Sequence, residues 1–194
     1  MLIPVTAARR MTMDDLFADG IDVRAELIDG EIVPKAETGA EHGFAQLKLA
    51  SWVLRRFDRN AGGRWPGGWW VIVEQHVRYS ASHVYCHDIA GWRRDRVPAK
   101  PSGVMTIRPD WVCEVLSPGH EKRDLVDKLA TLHTAGVPHY WVIDPAETLI
   151  QAYGHRPEGY LIRTIQAGEV LHAEPFDPIA LRTGIIFGDE DDED

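Results

Sequence analysis

Positive charge is in short supply in this sequence: 21 Lys and Arg stand against 30 Asp and Glu, for a net charge of −9 at pH 7. A protein that grips nucleic acid indiscriminately does so by neutralising phosphates with Lys and Arg, so this balance argues against a general polyanion binder. The deficit is uneven. Residues 189–194 are all acidic, and setting those six aside leaves −3 for the rest. Basic runs remain at Arg55, Arg56 and Arg59 and at Arg93, Arg94 and Arg96. Each reads first as a solvated face and second as a phosphate-facing stripe.

Cysteine is rare as well. Cys86 and Cys113 both lie in apolar, strand-like runs, where a small thiol is an ordinary core residue, so neither a disulfide nor a zinc site is expected. No stretch approaches the roughly 18 apolar residues that span a bilayer, and no basic N-terminal region precedes an apolar run. The expectation is a cytoplasmic protein with no membrane segment. Gly-rich phosphate loops and a serine nucleophile elbow are missing too, which leaves nucleotide-driven and acyl-transfer chemistry without support.

What the chain does have is 44% hydrophobic residues and seven tryptophans in 194 residues, ample material for one core. The expected layout is an N-terminal arm over 1–11, one domain over 12–188 and an acidic tail over 189–194. Thr12 with Asp15 predicts a capped short helix to Ala18, and Glu26-Leu27-Ile28, Asp29-Gly30, Glu31-Ile32-Val33 predicts a hairpin with a two-residue turn. Thr38 to Glu41 resembles a capping box. Phe44, Leu47, Ala50, Leu54 and Phe57 then recur at helical spacing until Gly62-Gly63. Strands are predicted over Trp69 to Tyr79, His83 to Trp92, Trp111 to Leu116 and His139 to Ile143, with a loop over Arg93 to Met105. A helix over about Lys122 to Ala135 ends at Gly136, and a meander of Thr148 to Tyr153, Tyr160 to Ile165 and a piece near Val170 follows. The fold class is α/β (α+β), a mixed β-sheet flanked by helices.

One residue stands out against this background. Glu114 interrupts an apolar strand, and a carboxylate out of water needs a partner or must give up its charge. Asp110 shares its face but sits about 13 Å along the strand, whereas oxygen ligands lie only about 2.0–2.6 Å from a metal ion. Asp88, on another predicted strand, suffers no such limit, because adjacent strands run about 4.8 Å apart. A hard divalent ion held by Asp88 and Glu114 would bind a phosphate oxygen and acidify a water. A lysine nearby would help, and Lys128, beside the apolar stripe of Leu125, Leu129 and Leu132, is preferred to Lys122. The bland alternatives are an ion pair for Glu114, a turn role for Asp88, and a helix-surface pair with Asp124 for Lys128. A zinc site from His76, His83 and His87 is rejected, since His83 and His87 would stand about 13 Å apart on an extended strand.

The segment EVLSPGHEKRDLVDKLATLHTAGVPHYWVIDP, Glu114 to Pro145, together with ELIDGEI (Glu26 to Ile32), His42 and HDIAGWRRDRVP (His87 to Pro98), resembles the Uma family of restriction-endonuclease-type proteins, a branch of the PD-(D/E)XK nuclease superfamily. The resemblance implies a restriction-endonuclease-like core. It also implies Asp88 and Glu114 as the two motif acids, Mg²⁺ or Mn²⁺ as cofactor, and nucleic acid, DNA in the first instance, as substrate. The superfamily lysine two residues after the second acid is replaced by Leu116, and its work falls to Lys128. Glu31 and His42 match further positions near the site, as supporting residues in the metal's outer shell. His87 stands where the family usually has proline, a change of backbone consequence only; Leu132 replaces a common tyrosine, and Gly119-His120 a Ser-Thr pair. A homodimer covering an edge strand is consistent with cutting two strands. Two rival readings remain: a catalytically inactive nuclease fold kept for binding or regulation, and a hydrolase of small phosphodiesters.

Overall fold

The computed structural model describes residues 9–18, 20–35, 37–119 and 123–191. Most of the expected N-terminal arm, Lys122 and residues 192–194 lie outside these. The first helix, α1 (Met13–Leu16), opens on the predicted box: the Asp15 N–H donates to Thr12 Oγ1 and the Thr12 N–H to Asp15 Oδ2. Strands β1 (Glu26–Ile28) and β2 (Glu31–Val33) form the predicted hairpin. Its turn residues Asp29 and Gly30 have φ of 52° and 82°, the paired positive values that match the twist of two strands joined by two residues.

Helix α2 (Ala40–Phe57) buries Ala45, Leu49, Trp52, Val53 and Phe57; of the expected stripe only Ala50 and Phe57 are buried, while Phe44, Leu47 and Leu54 face outward, so the core face is turned from the one expected. Its start departs from expectation. Gly39 is the N-cap, its carbonyl accepting the first helical bond from Gly43 N–H, so Thr38 and Glu41 do not form a capping box. The long strands β3 (Trp69–Arg78) and β4 (Val84–Arg93) pair antiparallel, and β4 is buried at every residue but Arg93. β5 (Trp111–Val115) follows the loop, and then the expected single helix resolves into a π-turn, Arg123–Lys128, running into α3 (Leu129–Thr134). Gly136 follows with φ 70°, the left-handed position that stops a helix.

β6 (His139–Asp144) lies parallel to β5, and β7 (Leu149–Arg156) and β8 (Gly159–Gln166) continue antiparallel. The last expected piece leaves the meander: β9 (Val170–Leu171) pairs with β10 (Leu181–Arg182) in a separate ribbon before α4 (Gly184–Phe187). The main sheet has the order β2-β1-β4-β5-β6-β7-β8, with β3 also paired to β4. One face packs Leu49, Trp52 and Phe57 of α2 against Ile89, Trp111, Cys113, Val115 and Trp141. The other packs Leu132 of α3 against Val112, Leu116, Tyr140 and Val142. Both cysteines are buried and free. Among the described residues, no helix is long and apolar enough to cross a membrane.

Candidate active site

The site grows out of an interruption in hydrogen bonding along β4. On one side β4 runs beside β3 for its whole length. On the other it pairs with β1 only at Val84 and with β5 only from Ile89 to Gly91. Between those two ladders the backbone of β4 has no strand beside it, and side chains take over. Cys86 N–H donates to Glu26 Oε1 at 3.0 Å. Across the gap, Val115 N–H donates to Asp88 Oδ2 at 2.7 Å. That amide points toward β4 because its neighbour, Leu116 N–H, points the other way, to Ile143 O on β6. Asp88 and Glu114 thus come to the same opening from adjacent strands, and each is 1% exposed.

Glu114 faces the π-turn. Its Oε1 lies 3.0 Å from Lys128 Nζ and 2.5 Å from His87 Nδ1. Lys128, itself 1% exposed, also meets Glu26 Oε1 at 3.1 Å and Asp124 Oδ1 at 3.2 Å. Burial works against its charge, but these three carboxylates hold its pKa well above the ordinary lysine value. The same burial pushes Glu114 up to about 7 and Asp124 up to about 6, only partly offset by Lys128. Asp88 faces the start of α2. Lys35 Nζ lies 2.5 Å from its Oδ1, and His42 Nε2 3.5 Å from its Oδ2. Burial opposes ionisation here too, yet the imidazole of His42 and the ammonium of Lys35 hold Asp88 below the usual carboxylate range. Ser117 Oγ fixes the other nitrogen of His42 at 3.1 Å.

Of the residues singled out in the sequence, the structure brings together Asp88, Glu114, Lys128 and His42. Glu31 is different. It is exposed and paired with Ile28 in the outer hairpin: it shares the face of Glu26 but lies on the edge strand β2, beside the turn and one strand further from β4. The hairpin's contribution to the cluster is Glu26. The pairing of Lys128 with Asp124 also holds, but as a buried contact and not as a surface one. His87 is more than a backbone substitute for proline, since its ring contacts Glu114 directly. His76 and His83 go elsewhere, to Ala25 O and to Asp29 with Ser80.

Glu26, Lys35, Glu74 and Asp124 were not legible as members. Glu74 sits opposite Asp88, between the register pairs Val73 with Ile89 and Gln75 with His87, at φ 49°. Positive φ in a non-glycine strand residue is strained, and such strain gathers at functional sites. Its carboxylate reaches Lys35 at 3.1 Å and Gln46 at 3.0 Å, while Gln46 also donates to Asp88 O. No spacing rule announces that bend.

Five carboxylates, Glu26, Glu74, Asp88, Glu114 and Asp124, therefore share two ammonium groups, Lys35 and Lys128. Hard oxygen donors in excess of local positive charge suit a Mg²⁺- or Mn²⁺-type ion. Among the described residues, no three His, Cys, Asp or Glu groups are gathered as ligands about one point, so an ion at Asp88 would share that carboxylate with Lys35. A cavity of about 620 Å³ opens beside His42 and Ser117, walled by Glu37, Glu41, Asp144 and Glu147. A larger one, about 710 Å³, lies at the far end of β4 and β5 near Arg93, Arg94 and Asp110, away from the carboxylates.

Most arginines of the basic runs have acidic partners. Arg94 pairs with Asp58, Arg96 with Asp110, and the buried Arg56 with Asp191 of the acidic tail.

The fold is similar to a solved structure from Anabaena variabilis titled as a "putative nuclease belonging to DUF820": TM-score 0.75 over 91% of this chain and 97% of that one, at 19% identity. No curated protein matches the sequence. A family model described as "Putative restriction endonuclease", Uma2, matches residues 11–183, a span that holds every element from α1 to β10 and every residue of the carboxylate cluster. The chain belongs to the Uma2 family.

Proposed function

We propose that this protein is a divalent-metal-dependent nuclease that hydrolyses phosphodiester bonds of nucleic acid, DNA in the first instance. The observation that supports it is the surplus of carboxylate, most of it buried, beside the gap between β4 and β5, around the two acids that the resemblance implies as ligands. Asp88 and Glu114 would hold Mg²⁺ or Mn²⁺. When bound, such an ion supplies Lewis-acid stabilisation of a phosphate oxygen and lowers the pKa of a water. Val115 N–H and His42 orient Asp88. Lys128, kept charged by its three carboxylates, adds fixed positive charge where negative charge develops on the attacked phosphate.

Calorimetric titration of Mn²⁺ into the purified protein, beside cleavage assays on DNA and RNA, tests this. Saturable binding and metal-dependent cleavage are expected, with Glu114→Ala lowering cleavage by about 100-fold or more, since even partners of metal ligands are worth about 10–100-fold. No saturable binding, or equal cleavage by Glu114→Ala, rules the proposal out. One observation favours a second reading, a fold kept for binding without catalysis: both motif acids already carry a lysine partner. That reading requires intact nucleic acid at millimolar Mn²⁺.

A further inference from the structure

His87 is fully enclosed, and both ring nitrogens are committed: Nδ1 lies 2.5 Å from Glu114 Oε1 and Nε2 lies 2.8 Å from Tyr79 OH. Glu114 Oε1 also receives the Lys128 ammonium, which can only donate, so this oxygen is the acceptor and the proton belongs on Nδ1. The phenol, which can donate, then serves Nε2. The contacts thus order the donors from Tyr79 through His87 to Glu114. At its far end Glu114 Oε1 receives two donors, His87 and Lys128, while among the described residues no hydrogen bond reaches Oε2. Two donors converging on one oxygen fix the plane of the carboxyl group.

We propose that His87 is a positioning residue: its Nδ1–H, oriented by Tyr79, clamps one oxygen of Glu114 together with Lys128 so that the other oxygen is presented to the divalent ion. Neither nitrogen is free to touch substrate. The idea rests on the metal-dependent reading above and adds a residue that motif spacing does not mark.

Two side chains separate the nitrogens. Asparagine places an amide N–H close to where Nδ1 stands, whereas glutamine reaches the position of Nε2 and leaves Glu114 without its donor. Mn²⁺ affinity of the full chain, measured by calorimetry, is expected to stay near wild type in His87→Asn and to fall about 10–100-fold in His87→Gln and His87→Ala. Tyr79→Phe, which removes one oxygen and is the variant least disturbing to the fold, is expected to weaken Mn²⁺ binding by a smaller factor. Long-range ¹H–¹⁵N correlation of the unsubstituted protein gives a readout independent of any variant: the His87 signals should show a proton on Nδ1.

A ring with no proton on Nδ1, unchanged Mn²⁺ affinity in His87→Ala or Tyr79→Phe, or an equal loss in the Asn, Gln and Ala variants overturns the inference while leaving the metal site standing. A wild-type protein that binds no Mn²⁺ removes the metal-dependent reading and this inference with it.

Discussion

A lysine with no route to water keeps its charge only where carboxylates enclose it, and Lys128 has three. Removing the ammonium while keeping the volume, as in Lys128→Met, leaves Glu26, Glu114 and Asp124 facing one another. We expect a loss of about 3–5 kcal/mol, the range for a buried ion pair that loses one partner. The loss should be larger at pH 8 than at pH 5, because at the lower pH the abandoned acids can take up protons; urea denaturation at the two pH values checks this. Asp88, Glu114 and Lys128 were readable in advance because an acid in an apolar strand, or a lysine beside an apolar stripe, contradicts its surroundings. Glu26 and Glu74 gave no such signal. Their roles come from a hydrogen-bonding gap and a strained backbone, features of the pairing pattern that no local run of residues encodes. His87 was noticed for the wrong property, its backbone, when its ring is what matters.

Among the elements, α3 is short, yet it fixes the face from which Lys128 enters. It can do so because Leu132, fully buried, packs against Val112, Tyr140 and Val142 on the sheet. Leu132→Ala should lower stability by about 2–5 kcal/mol, the cost of an unfilled cavity, measured by chemical denaturation. Mn²⁺ binding by the molecules that remain folded should persist, since no member of the carboxylate cluster is removed. The order of strands and helices followed from hydrophobic periodicity and turn residues, as the Asp29-Gly30 turn shows, although the buried face of α2 is not the stripe of Phe44, Leu47 and Leu54. Two local details did not. The start of α2 falls at Gly39 because the chain is extended there, and the π-turn ahead of α3 has the same composition as an ordinary helix. The spacing near Val170 predicts a further strand of the meander, but two residues are too few to specify a partner, and β10 pairs with them instead.

For the molecule as a whole, the surplus of buried carboxylate ties folding to protons and to cations. Glu114 and Asp124 have folded-state pKa values near 7 and 6, above their ordinary values of 4.5 and 3.8. Through the interval from the ordinary to the folded value the native state binds more protons than the unfolded chain, so stability falls as pH rises and levels off above about 7. Asp88 acts the other way, but its depressed pKa places its contribution in more acidic solution, where stability is lost as pH falls. Buried His87 and half-buried His139, whose pKa values are lowered, also act the other way, as pH falls through the ordinary histidine value of 6.5. The part that belongs to Glu114 is isolated by Glu114→Gln: without metal, the melting temperature at pH 5.5 minus that at pH 7.5 should be larger in the wild type than in the variant. Millimolar Mg²⁺ or Mn²⁺ should raise the wild-type value more at pH 7.5 than at pH 5.5, because an ion binds the deprotonated acids and stabilises the native state by mass action. An equal difference in the two proteins without metal would contradict this account of the buried charge.

The bond from Val115 N–H to Asp88 bears on how position 88 is to be read in related chains. That carboxylate fills a missing rung between two strands, so the backbone demands an acceptor at position 88 whether or not any reaction takes place there. Selection for folding alone would preserve it. An aspartate kept at this place in a relative is therefore no sign that the relative binds a metal.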